Sequence, residues 1–140
     1  MIVAAALLAI FIFVPFGFSE IIEADSCRIV QDWTACNFIW LLIPVALAAV
    51  LLLVAVFMFR NMPLQKGMVY ISLMLTLAAI GITAYILAAG LLDLTVGDYV
   101  CGTRAGGGGL LLLAAALSEG IAISRISADQ RILRNMDRLR

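Results

Sequence analysis

The chain has 140 residues, of which 65% are hydrophobic and 13% charged, with a formal net charge of zero and no histidine. Soluble domains carry about 25% charged residues, so a water-soluble globule is excluded, and no nucleic-acid partner is expected. The absence of histidine removes bis-histidine haem ligation, histidine metal sites and Ser-His or Cys-His catalysis.

Four apolar runs, at about 1–18, 38–59, 68–92 and 105–124, fill most of the chain. A bilayer core takes about 20 apolar residues per spanning helix, so each run reads as a span. The first has no Lys or Arg ahead of it and is followed by Ser19-Glu20, not by a small-x-small cleavage site. It therefore reads as a retained helix and not as a signal peptide. The expected fold is an all-α integral membrane protein: one four-span domain over 1–140, a four-helix bundle with an amphipathic tail at 125–140.

The charges between the runs are sorted. Residues 19–37 carry Glu20, Glu23, Asp25 and Asp32 against Arg28, a net of −3. The middle connection contributes Arg60 and Lys66, and the tail holds Arg125, Arg131, Arg134, Arg138 and Arg140 against Asp129 and Asp137. Seven of the nine basic residues thus fall on one side, which the positive-inside rule places in the cytoplasm or an organelle matrix, together with both termini. Trp33, Trp40, Tyr70 and Tyr99 fall near the ends of runs, where amphipathic aromatic rings favour the headgroup level.

Cys27, Cys36 and Cys101 all lie in the two connections assigned to the opposite, outer side, where disulfides are permitted. A Cys27–Cys36 bridge within one connection is the favoured pairing, with Cys101 as an alternative partner. No C-x-x-C redox motif is present. Pro44 falls inside the second run, where a bend is plausible. Gly106–Gly109 either ends the outer loop or makes a turn where another backbone comes close.

The fourth run differs from the rest. Glu119 is the one charged residue within a run. A charge at the centre of a spanning helix costs about 2.5–3.5 kcal/mol on insertion scales, which makes it a functional candidate. It is read chiefly as a polar contact with another helix, and otherwise as a protonatable site. Ala116, Gly120 and Ser124 form a small-residue stripe suited to close helix packing, read chiefly as packing inside the bundle and otherwise as contact with a partner protein. In the tail, Ile126, Ile132, Leu133, Met136 and Leu139 fall in one sector about 140° wide, opposite Arg131, Arg134, Asp137 and Arg138, which suits a short amphipathic helix on the inner surface or on a partner, and equally a solvated continuation of the fourth helix. Arg125, Arg131, Arg134 and Arg138 are the expected lipid or partner contacts.

Two outer cysteines within one loop resemble the claudin-like or MARVEL tetraspans. The chain departs from that pattern: the outer segment has only about 19 residues and Trp33 lies between the cysteines, without the Gly-Leu-Trp sequence before them. The resemblance implies a role in junctions or membrane organisation. The residues themselves favour a non-catalytic accessory or scaffolding subunit of a larger membrane complex, in a plasma membrane or an organelle inner membrane. No cofactor, metal or catalytic residue is expected, and the expected partners are the bilayer and other membrane subunits. A third reading is a small ion- or proton-conducting oligomer built on Glu119.

Overall fold

A computed structural model describes residues 1–23, 26–58, 61–89, 95–96 and 99–137. Its elements are α1 (Ile2–Phe13), β1 (Gly17–Glu23), β2 (Ser26–Trp33), a single 3-10 turn (Ala35–Asn37), α2 (Ile39–Phe57), α3 (Met62–Ala88), β3 (Thr95–Val96), β4 (Tyr99–Ala105) and α4 (Gly108–Asp137). The helices run up, down, up, down. α1 packs on α2 and α4, α2 on α3, and α3 on α4, which closes a ring. Ala4, Leu8, Leu41, Ala48, Leu52, Val69, Ala79, Leu112 and Ala115 fill its axis. In hydrocarbon, van der Waals fit of this kind holds helices together, because lipid tails are as apolar as the core.

α2, α3 and the Gly108–Ile132 part of α4 are long and apolar enough to cross a membrane. The chain is an integral membrane protein. α1, with 12 residues, is about 18 Å long and falls short of the others. The expected span over 1–18 is corrected here: Val14 precedes Pro15, a position that disfavours the helical conformation, and its backbone is extended at φ −87°, ψ 130°. α3 begins six residues earlier than expected, with Pro63 in its first turn, where a missing N–H costs nothing.

The all-α expectation is also corrected. The two connections fold into a four-stranded antiparallel sheet of order β2-β1-β4-β3 at one end of the bundle. Phe16, wholly buried, anchors the sheet to the helices, with ring centroids 6.3 Å from Phe11 and 5.9 Å from Phe38, and Trp33 stacks 5.5 Å from Phe38.

Gly106 and Gly108 account for the glycine run. The Gly106 N–H donates to Phe16 O at 2.7 Å and the Gly108 N–H to Pro15 O at 3.1 Å. A Cβ at either residue would lie 2.7–2.8 Å from Pro15 O. Of the two expected roles, this is the close approach of a second backbone.

Of the two readings of the tail, a short helix of its own or a continuation of the fourth, the structure has the continuation. α4 continues unbroken to Asp137, about 45 Å in 30 residues. No Gly or Pro follows Gly120. Ser124 and Ser127 donate back to Ile121 O and Ile123 O, each at 2.8 Å, instead of capping a new helix.

Candidate functional site

The buried face of α3 carries an unexpected polar row. Gln65, Ser72, Thr76 and Thr83 all point into the bundle axis. They span 18 residues, about 27 Å, close to the thickness of a hydrocarbon core of about 30 Å. Buried polar groups need partners, and each finds one. Gln65 Nε2 donates to Ala55 O of α2 at 3.1 Å, and Thr83 Oγ1 to Ala79 O at 2.8 Å.

Glu119 meets the middle of this row. Its side chain is 0% exposed. Oε1 accepts from Ser72 Oγ at 2.9 Å and from Thr76 Oγ1 at 3.1 Å. Each hydroxyl also lies within bonding distance of a helix carbonyl: Ser72 Oγ is 3.2 Å from Ala48 O, and Thr76 Oγ1 is 3.0 Å from Ser72 O. One hydroxyl carries one proton, so each donor serves either the carboxyl or the carbonyl at a given moment. Oε2 is buried and has no hydrogen-bond partner. The sequence reading of Glu119 as a contact to another helix thus has a defined form, a node linking α2, α3 and α4.

α1 and α2 carry no ionisable side chain. On α3, Tyr70 and Tyr85 face outward, and Lys66 lies over the Tyr70 ring, 5.9 Å from its centroid. On α4, Arg125 is exposed and more than one turn beyond Glu119. The N-terminal ammonium of Met1 is close enough for its charge to be felt at the carboxyl, without bonding to Oε2, and among the described residues no group of three or more His, Cys, Asp or Glu gathers for a metal.

Two cavities lie along α4. One, of about 560 Å³ at the end away from the sheet, is bordered by Met1, Gln65, Ser118, Ile121, Arg125 and Asp129 among others. The other, of about 180 Å³ toward the sheet, is bordered by Ile80, Thr83, Leu87, Gly109, Leu112 and Leu113.

The remaining expected residues divide. The small-residue stripe does not pack inside the bundle: Gly120 and Ser124 are exposed and Ala116 is half-buried. α4 instead turns Leu112, Ala115, Glu119, Ile123 and Ile126 inward, and the bonds of Glu119 to α3 fix that rotation. Arg125 and Arg131 are exposed. The Arg134 side chain and Arg138 lie outside the described residues.

The Cys27–Cys36 bridge is also corrected. Cys36 carries a free, exposed thiol whose Sγ lies 3.6 Å from Ile12 O. Cys27 pairs with Ile22 at the far end of the hairpin, and Trp33 with Gly17 at its base. Six strand residues, about 20 Å, therefore separate Cys27 from the turn that holds Cys36, whereas a disulfide needs Cα atoms within about 7 Å. Cys101 sits across β1 from Cys27, opposite Ile21, about two strand spacings or 10 Å away. The side chains of Cys27 and Cys101 lie outside the described residues.

Sequence reasoning found Glu119 and missed Ser72, Thr76 and Gln65. Their signal was present: Gln65, Ser72 and Thr76 are spaced by seven and four, which places them on one helical face.

No curated protein and no solved structure matches the chain. A family model described as Domain of unknown function (DUF4293) matches residues 1–139, nearly the whole chain, and the protein belongs to that family.

Proposed function

We propose that the protein is a non-catalytic accessory subunit of a larger membrane assembly, with both termini inside and the sheet on the outer side. One observation carries this reading. Ala116, Gly120 and Ser124 form a small-residue stripe that the bundle leaves facing outward, and such stripes are where membrane helices approach most closely. Leu113, Leu117 and Ile121 flank it and are also exposed, so a partner helix would meet an apolar surface with a groove along it. The tetraspan alternative leans on a cysteine pair in one outer loop, and the free Cys36 thiol takes that support away.

The test is the native particle size of the tagged chain in mild detergent, beside Gly120→Leu. A Cβ at Gly120 meets nothing within 4 Å, so the substitution leaves the bundle intact and fills only the groove. The expected result is a hetero-complex in the wild type that is lost in the variant. A homo-oligomer alone, or a complex unchanged by Gly120→Leu, refutes the reading.

A further inference from the structure

We propose that Glu119 is a proton-loading site inside the bundle, with Oε2 as the atom that takes the proton and the Ser72 and Thr76 hydroxyls as its switching partners. This inference is independent of any partner subunit. Three observations carry it: the carboxyl is wholly buried, Oε1 is held by two donors, and Oε2 is buried with no hydrogen-bond partner.

A buried oxygen without a partner is costly and calls for an explanation. A metal ion does not fit there, because it needs several oxygen ligands around it and no hydrogen-bonding group approaches Oε2. A proton on Oε2 needs no further ligand and removes the charge, whose burial is the larger cost. No cationic side chain is in place to neutralise the carboxylate instead. α1 and α2 contain none, Lys66 on α3 lies over Tyr70, and Arg125 on α4 is exposed; the charge of the Met1 ammonium is felt at Glu119, but it makes no bond to Oε2.

The hydroxyls give the site two arrangements. With the carboxylate charged, Ser72 and Thr76 both donate to Oε1, in charge-assisted bonds that are stronger than neutral ones. With a proton on Oε2, the charge is gone. Ser72 then turns to Ala48 O and Thr76 to Ser72 O, acceptors already within 3.2 Å and 3.0 Å. The loading step forms one O–H bond at Oε2 and breaks one O–H bond of a hydronium ion, which leaves as water, and no electron is transferred. The 560 Å³ cavity supplies the approach: its border includes Gln65, which begins the polar row, and Ser118, which adjoins Glu119. The consequence is a change in what joins the helices. The charged state ties α4 to α3, and the loaded state ties α3 to α2.

The test uses the full chain reconstituted in liposomes and a hydrophobic carbodiimide, which reacts with carboxylic acids within the bilayer. The acid O–H adds across one C=N bond of the reagent, and acyl migration from oxygen to nitrogen leaves an N-acylurea that retains the whole reagent mass. The expected result is that mass on Glu119, absent in Glu119→Gln, unaffected by sodium, and falling about tenfold for each pH unit above its midpoint. A second measurement needs no variant: with carboxyl-isotope-labelled glutamate, the infrared band of a protonated, non-aqueous carboxyl disappears over the same pH range. No label and no such band at any pH at which the chain stays helical overturns the proposal. Labelling that sodium suppresses overturns it in favour of a cation site.

Discussion

Gly108 and Gly109 are adjacent residues at the start of α4, and the structure assigns them opposite responses to the same change. At Gly108 a Cβ would lie 2.8 Å from Pro15 O and 3.1 Å from Phe16 Cα. These are backbone atoms, held by the Gly108 N–H···O bond and by the pairing of β1 with β4, so they do not yield as a side chain would. Overpacking of this kind costs about 1–3 kcal/mol, and the helix-propensity gain of alanine over glycine returns at most about 1 kcal/mol. Gly108→Ala is therefore expected to destabilise by about 1–2 kcal/mol. At Gly109 a Cβ meets nothing within 4 Å, so Gly109→Ala keeps the propensity gain and stabilises by up to about 1 kcal/mol. The two variants differ by about 1–3 kcal/mol, which for a chain of this size is roughly 3–10 °C in Tm. Thermal melts followed by circular dichroism in one detergent measure the difference. Equal melting temperatures, or Gly108→Ala melting above Gly109→Ala, would show that the crossing of Pro15–Phe16 over α4 is not as described.

Two further outcomes follow from named contacts. Thr76→Val removes a donor to Glu119 while keeping the side-chain shape, and is expected to cost about 1–2 kcal/mol in the same melts. Thr83→Val removes only a bond to its own helix at Ala79 O and is expected to cost under about 0.5 kcal/mol; equal costs would mean that Glu119 draws nothing from Thr76. In unreduced protein, a membrane-impermeant maleimide is expected to modify Cys36, whose thiol is exposed. Modification that appears only after reduction would restore the disulfide reading.

The helices were legible because their apolar runs are long and the bilayer sets their length. Glu119 was legible because it is the one charge within a run. The sheet was not, since the charges of Glu20, Glu23, Arg28 and Asp32 drew residues 19–37 toward a solvated-loop reading. The signal was nevertheless there: Ile21-Ile22 and Ile29-Val30 are β-branched pairs, and Gly97-Asp98 between Val96 and Tyr99 is a two-residue hairpin sequence. The stripe of Ala116, Gly120 and Ser124 was correctly seen as one face, but periodicity fixes only which residues share a face. Which way that face turns depends on the bond from Glu119 to α3, a long-range contact no local pattern contains. The cysteine pairing failed for a related reason, because closeness in sequence means little once the intervening residues are extended.

The sheet also makes the two ends of the bundle mechanically unlike. β1 follows α1 and bonds to β2, which leads into α2, and to β4, which leads into α4. Main-chain bonds thus rivet three helix ends together on that side. At the opposite end α2 and α3 are joined through Asn61, whose N–H donates to Met58 O at 3.1 Å, but the start of α1 is held by side-chain contacts such as Gln65 Nε2 to Met1 Sδ at 3.8 Å. The molecule is built like a clothes-peg, clasped at one end, with the α2–α3 pair as one jaw and the ends of α1 and α4 free to splay from it at the other. Amide exchange should therefore advance from the open jaws toward the clasp, and any motion large enough to bring water to the carboxyl of Glu119 would enter from the jaws.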